Sequence, residues 1–217
     1  MRLIIFDVDG TLVDSQELIV AAQRRAFAAN GLTAPDRATM LSIVGLSLAE
    51  AFTVLAGPEA PIAGLSNAYR EAWLELRADP AFADPLYPGA DAAVRHLAAS
   101  ADTMLGIATG KSNRGVTHLI EKAGWDGLFV TTQTADDHPS KPDPSMILRA
   151  MAEAGVGPAE TCMIGDTAFD MAMARAAGVT AIGCLWGYHG HARLVEAGAE
   201  HLVSDFDALL ALLDPAP

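Results

Sequence analysis

Two aspartates separated by one residue directly follow the first apolar segment of the chain. The segment spans residues 3–6, and the acids are Asp7 and Asp9 in the stretch LIIFDVDGT. In an extended chain, residues i and i+2 point to the same side, so both carboxylates are expected to share one site. Two like charges at that spacing repel each other, and one of them tends to keep its proton. The pair therefore predicts either a bound cation or a proton shared with a reacting group.

Three further groups of hydroxyl, lysine and acidic side chains stand where apolar runs end or helical patterns begin. They are Thr109 with Gly110 and Lys111, Lys141 before Pro142, and Asp166 with Asp170. If the apolar runs are parallel strands, these groups meet at the carboxyl edge of one sheet. Open α/β sheets bind their ligands at that edge, so the four groups are candidates for a single active site.

Short apolar runs alternate with helical patterns along most of the chain. The strand-like runs cover residues 3–8, 104–108, 128–132, 162–164 and 179–185, and the helical patterns cover residues 91–99, 113–123, 144–154, 168–177 and 207–213. Each strand-like run is apolar on both faces, which is typical of strands covered by helices on two sides. The alternation predicts an α/β fold with a doubly wound parallel sheet.

The long segment between the first two strand-like runs has no strand pattern. Helical patterns cover residues 15–30 and 65–77, with Ser15 as a candidate N-cap, and Ser47 begins a capping-box spacing with Glu50. We therefore predict a small α-helical cap domain of residues 15–85, inserted into a catalytic core domain of residues 1–14 and 86–217. An insertion at this point would stand over the carboxyl ends of the strands.

Composition and charge restrict the class of protein. The chain is 51% hydrophobic and 19% charged, with a formal net charge of −13, which argues against nucleic-acid binding because that binding requires Lys and Arg to neutralise phosphates. The apolar runs fall short of the ~18 residues of a membrane span, and we expect no secretory signal before the first strand. Cys162 and Cys184 lie in apolar runs and are expected to be free thiols, so we predict a cytoplasmic protein.

The four polar groups resemble, in order and position, the motifs of haloacid-dehalogenase-like phosphatases. The matching features are DxDGT at residues 7–11, a threonine after the second strand, a lysine before a proline, and GDxxxD at residues 165–170. The resemblance covers the whole chain. The position and helical character of the insertion resemble the subgroup that contains phosphoglycolate phosphatases and β-phosphoglucomutases.

The resemblance implies a metal-binding role for all four aspartates and a catalytic role for the first two. Asp7 is then the nucleophile that forms an aspartyl phosphate, and Asp9 is the general acid and base. The cofactor is Mg²⁺, a hard cation that prefers oxygen ligands. The implied ligands are Asp7, the backbone carbonyl of Asp9, Asp166 and, directly or through water, Asp170.

The resemblance also implies the residues that bind the substrate. Thr109, Gly110 and Lys141 are expected to bind the phosphoryl group. Gly45 and Ser47 occupy the place where relatives present a substrate-contacting loop. The implied substrate is a small phosphorylated metabolite, either phosphoglycolate-like or a sugar phosphate.

Four side chains outside the motifs carry weaker expectations. Arg24 and Arg25 are candidates for an anionic substrate tail, although solvated helix arginines give the same pattern. Lys111 is expected to be a solvated neighbour of the site. His189 lies in a GYHGH stretch that we expect to form an exposed loop rather than a metal site.

Four other activities are compatible with parts of the pattern. A mutase of the same subgroup shares all four motifs, so the motifs leave hydrolase and mutase both open. A dehalogenase requires neither a second aspartate nor Mg²⁺. A phosphonate hydrolase requires a lysine in the insertion, and residues 15–85 contain none. A phospho-acceptor signalling domain does not carry an insertion of this size.

Overall fold

The core of the protein is a six-stranded parallel sheet, found in a computed structural model that describes residues 1–214. The strands are β1 (Arg2–Phe6), β2 (Thr103–Thr109), β3 (Phe129–Thr134), β4 (Thr161–Gly165), β5 (Thr180–Cys184) and β6 (His201–Val203). Their order across the sheet is β3-β2-β1-β4-β5-β6. Every neighbouring pair is parallel, so β1 lies in the middle with its carboxyl end beside those of β2 and β4.

Helices follow the strands and also fill the long segment after β1. The α-helices of residues 1–214 are α1 (Gln16–Ala29), α2 (Arg37–Leu41), α3 (Leu48–Ala56), α4 (Ile62–Leu76), α5 (Ala90–Ala98), α6 (Asn113–Ala123), α7 (Ser145–Ala154), α8 (Ala168–Ala177), α9 (His191–Ala197) and α10 (Phe206–Leu213). The predicted doubly wound α/β fold is confirmed.

Both faces of the sheet are buried, as the apolar runs predict. Ile4 and Phe6 of β1 pack on one face with residues of α5, α6 and α10. Leu3 and Ile5 point to the opposite face and pack with residues of α7, α8 and α9. Residues of alternate parity serve opposite faces of a strand, and this double burial fixes the register that brings the carboxyl ends together.

Helices α1 to α4 have apolar clusters of their own. One cluster joins Leu18 and Ala22 of α1 to Ala72 and Leu76 of α4. A second contains the residues Ala26, Phe27, Phe52 and Leu65. The spacing of four residues places the first cluster on one face of α1 and one face of α4. The two clusters together allow these helices to stabilise one another apart from the sheet.

The helical segment leaves the core and returns to it at adjacent positions. Val13 and Leu86 form an antiparallel bridge. The Asp14 amide donates to the Pro85 carbonyl at 2.9 Å, and the Tyr87 amide donates to the Leu12 carbonyl at 2.9 Å. The two segments that connect the inserted helices to the core are therefore hydrogen-bonded to each other.

Among the strands and α-helices of residues 1–214, three were not predicted, and one predicted helix cap was wrong. The strand β6 has three residues and the helices α2 and α9 have five and seven, lengths at which periodicity gives little signal. Ser15 precedes α1 without a side-chain capping bond, because its hydroxyl donates to Asp9 instead. Cys162 and Cys184 are free thiols, as expected. Among residues 1–214, the helices are all too short or too polar to cross a bilayer.

Candidate active site

Three adjacent strand ends bring the predicted acids and the threonine that is expected to bind phosphate to one edge of the sheet. Asp7 follows β1, and its amide donates to the Ile164 carbonyl of β4 at 2.9 Å. Asp166 follows β4, and Thr109 is the last residue of β2. Parallel pairing of β1 with both neighbours therefore holds these groups in one place.

The carboxylates of Asp7, Asp166 and Asp170 form a buried cluster. One oxygen from each lies within 4.8 Å of the others, and the three residues are at most 1% exposed. Burial raises the pKa of Asp7 to about 6, opposed by the Lys141 charge and reinforced by that of Asp170. Burial also raises the pKa of Asp166 well above its usual range, with further contributions from Asp170 and Asp7. The cluster thus carries more negative charge than its surroundings stabilise.

Lys141 is the only cationic side chain in direct contact with this cluster among the described residues. Its ammonium lies 2.5 Å from Asp170 Oδ1 and 2.9 Å from Asp7 Oδ1, and its side chain has no solvent exposure. Burial lowers the pKa of Lys141, but the charges of Asp170 and Asp7 outweigh burial and raise it. Lys141 is therefore a fixed positive charge beside Asp7.

The polar atoms of the cluster fit a divalent cation. Within residues 1–214, neither carboxylate oxygen of Asp7 accepts a hydrogen bond, although both are buried; the Lys141 contact is an ion pair without hydrogen-bond geometry. When all three acids are ionised, three carboxylates against one ammonium leave an excess of two negative charges. Carboxylate oxygens are the ligands that Mg²⁺ prefers, so a divalent ion beside Asp7 and Asp166 would satisfy both the charge and the free lone pairs.

Neighbouring residues hold the other two acids in position. The Thr11 hydroxyl donates to Asp166 Oδ1 at 2.9 Å, and the Tyr188 amide donates to Asp166 Oδ2 at 2.8 Å. A Cβ at Gly10 would lie 2.3 Å from Asp166 Oδ2, and Gly10 has φ +93°, so only glycine fits there. Asp170 Oδ2 accepts from the amide and hydroxyl of Thr167 in a capping box at the start of α8.

Asp9 lies apart from this cluster and has its own partners. The Lys111 ammonium donates to both Asp9 oxygens, at 2.7 and 3.0 Å, and the Ser15 hydroxyl donates to Oδ1 at 2.7 Å. Lys111 also lies 4.6 Å from the centre of the Trp73 ring of α4, a cation–π distance. The Lys111 side chain is 10% exposed, so the expectation of a solvated lysine was wrong.

The loop that follows α2 lies against the end of β2. A Cβ on Gly110 would come within 2.6 Å of the Gly45 carbonyl oxygen and 2.7 Å of the Leu46 carbonyl oxygen. The Ser47 amide donates to the Ser140 hydroxyl at 2.8 Å, and the Ser47 hydroxyl accepts from the Glu50 amide to cap α3. Residues 45–47 thus contact the core where phosphate is expected to bind.

A cavity of about 470 Å³ lies between the sheet edge and the inserted helices. The predicted residues that line it are Asp7, Asp9, Thr109, Gly110, Gly45 and Ser47. The arginines that line it are Arg70, Arg77 and Arg114. Arg24 is exposed, and Arg25 forms an exposed ion pair with Glu75 at 2.9 Å. The structure therefore favours the solvated interpretation of Arg24 and Arg25.

His189 is a buried contact between the sheet edge and the helical segment. It is 2% exposed; its Nδ1 accepts from the Ala168 amide at 2.8 Å, and its Nε2 donates to the Ser42 carbonyl at 3.0 Å. These partners fix the neutral tautomer, and burial lowers the pKa of His189. The expectation of an exposed loop histidine was wrong. Sequence alone does not show that the inserted segment packs against the loop that contains His189.

Comparisons with known proteins agree with this arrangement. A family model described as haloacid dehalogenase-like hydrolase matches residues 4–184. The chain is 34% identical to a protein of Dickeya dadantii named "Probable phosphatase IndB", over 96% of this chain and 91% of that protein. It is 32% identical to a phosphoglycolate phosphatase of Pseudomonas putida, over 99% of this chain and 81% of that protein.

A solved structure shares the same overall arrangement. The crystal structure of a hydrolase from Pseudomonas syringae superposes with a TM-score of 0.87 at 28% identity, covering 99% of this chain and 98% of that one. The similarity extends over the sheet and the inserted helices alike.

Proposed function

The chain belongs to the haloacid dehalogenase-like hydrolase family, and we propose that it hydrolyses small phosphate monoesters with Mg²⁺ as cofactor. Full-length similarity to phosphatases supports the phosphatase class. The observation that carries the mechanism is Asp7, a buried carboxylate whose oxygens accept no hydrogen bond and which forms an ion pair with Lys141. A nucleophilic oxygen with no donor keeps its lone pairs available for phosphorus.

Mg²⁺ would supply positive charge that offsets repulsion between the nucleophile and an anionic ester. The ligands of the ion would be the carboxylates of Asp7 and Asp166 and the backbone carbonyl of Asp9. Asp170 already accepts from Lys141 and Thr167, so we propose that it reaches the ion through water and orients Lys141.

The reaction then has two displacements at phosphorus. In the first, an Asp7 oxygen forms a bond to phosphorus, the ester P–O bond breaks, and Asp9 gives its proton to the departing alkoxide. In the second, Asp9 takes a proton from water, the water oxygen bonds to phosphorus, and the bond to Asp7 breaks, releasing phosphate. Lys141, the Thr109 hydroxyl and the Gly110 amide stabilise the phosphoryl charge throughout.

Residues 15–85 are proposed to form a cap domain that covers the site. Their own apolar clusters and their paired connections at Val13 and Leu86 support a unit that moves as one body. Contacts of the loop at residues 45–47 with Gly110 and Ser140 would exclude bulk water when the cap is closed.

Phosphate release from aryl and alkyl phosphates tests the function. Chelated protein should be inactive and should recover on titration with Mg²⁺. Asp9→Asn should lose on the order of 10²–10⁴ in rate with alkyl esters, and less with aryl esters, whose leaving groups need less protonation. Full activity in verified metal-free protein would refute the cofactor, and equal losses for both ester classes would refute the role of Asp9. Isomerised sugar phosphate without released phosphate would identify a mutase instead.

A further inference from the structure

The cavity is larger than a two-carbon ester requires. Its volume of about 470 Å³ falls in the range of ~300–1,000 Å³ that holds drug-sized ligands. It is continuous from Asp9 and Thr109 of the core to Gln23 on α1 and Ala51 on α3. A phosphoglycolate-sized ester would leave the part between the helices unfilled.

The walls of the helical part are mainly apolar, and Arg70 and Arg77 are their charged members. The apolar side chains there include Ile19, Ile43, Val44, Leu48, Ala51 and Leu74. Burial of one methylene against such walls strengthens binding about fourfold. The volume and these walls together favour an alcohol that is longer than a two-carbon hydroxy acid and has an apolar body between the helices.

Gln23 is a lining residue of this part of the cavity and carries one unused acceptor. The residue is 4% exposed, and its Nε2 donates to the Met40 carbonyl at 3.3 Å. Because a carbonyl only accepts, this contact fixes the amide orientation and leaves Oε1 free. Within residues 1–214, Gln23 Oε1 has no donor, and a buried acceptor without a donor is costly unless a ligand supplies one.

Within residues 1–214, Asp7 and Gln23 are the residues of the cavity lining that carry a buried acceptor without a hydrogen-bond donor. We infer that the substrate is a phosphate monoester of an alcohol longer than two carbons, whose apolar body fills the helical part of the cavity. A hydroxyl or N–H group at its far end donates to Gln23 Oε1. The inference rests on the proposed phosphatase function and makes Gln23 a specificity residue.

Two matched series of esters test this inference. The first contains n-alkyl phosphates from ethyl to octyl, and the second contains the same esters with a terminal hydroxyl. In the wild type, kcat/KM should rise about fourfold per methylene until the cavity is filled. At the best length, the terminal hydroxyl should add a further tenfold or so, mainly through KM. Gln23→Met should abolish the hydroxyl advantage and keep the dependence on length.

Arg24→Met, at the next position on α1 and exposed, is the matched control and should retain both effects. A wild type that prefers phosphoglycolate over every longer ester would overturn the inference, as would a hydroxyl advantage that survives Gln23→Met. The wild-type series needs no variant, so it decides the question even if Gln23→Met does not fold. Hydrolysis of 4-nitrophenyl phosphate reports the phosphatase function separately: its absence would refute that function and, with it, this inference.

Discussion

Asp7→Asn should stabilise the metal-free protein while it abolishes turnover. The pKa of Asp7 is raised from its ordinary value of 3.8 to about 6 in the folded protein, chiefly through burial. The difference is about two pKa units, which at 1.36 kcal/mol each makes ionised Asp7 cost about 3 kcal/mol of folding free energy. Asparagine has nearly the same shape and carries no charge, so the variant avoids this cost.

The size of the effect changes with pH in a defined way. Between about pH 4 and pH 6 the folded wild type binds more protons than the unfolded chain, so its stability falls as the pH rises. The advantage of Asp7→Asn should therefore be small near pH 4, grow up to pH 6 and stay constant above it. Saturating Mg²⁺ should reverse the order, because the wild type binds the ion more tightly.

Thermal unfolding in chelator at several pH values measures this effect. At pH 8 the melting temperature of Asp7→Asn should exceed that of the wild type by roughly 6–12 °C, from ~2–4 °C per kcal/mol in a chain of this size. Asp126→Asn removes an exposed carboxylate and serves as control, with little change expected. A metal-free Asp7→Asn protein that melts at or below the wild-type temperature at pH 8 would refute the reasoning.

The remaining predictions concern the contacts between the core and the inserted helices. Lys111→Met should lower kcat/KM for alkyl phosphates by about 10–10², and less for aryl phosphates, because Lys111 acts by positioning Asp9. Lys111→Arg should restore part of the loss, and an equal loss for both ester classes would argue for a purely structural role. Gly110→Ala should reduce turnover strongly, since its Cβ would lie 2.6 Å from the Gly45 carbonyl oxygen, whereas Gly190→Ala, with open space around it, should have little effect. Similar rates for the two glycine variants would show that the closed loop contact is not required.

The sheet and most of its helices were predictable because burial on both faces leaves a clear pattern in the sequence. The helix limits Asn113–Ala123 and Ala168–Ala177 coincide with the predicted ranges, since Gly124 and Gly178 end them in the left-handed conformation that glycine adopts freely. The grouping of Asp7, Asp166 and Asp170 also followed from sequence, because parallel strands place their carboxyl ends together.

The partners of the site residues were not predictable to the same extent. A hydroxyl before a helix normally caps it, yet Ser15 bonds to Asp9, a choice that depends on tertiary geometry. Lys111 and His189 contact the inserted helices, and no local pattern records which distant segment packs over a loop. Gln23 occupies a buried position in α1, and its free acceptor becomes visible only once the cavity is known.

The bridge between Val13 and Leu86 has a consequence for how such enzymes diversify. Because the inserted segment starts and ends at neighbouring points, another helical unit with adjacent termini can replace it without disturbing the sheet register. Asp7, Thr109, Lys141 and Asp166 all lie outside the exchanged segment. Crossovers at the two paired ends would exchange the proposed substrate-selecting surface while the proposed catalytic residues are retained, which makes this junction a natural site for building chimeric phosphatases.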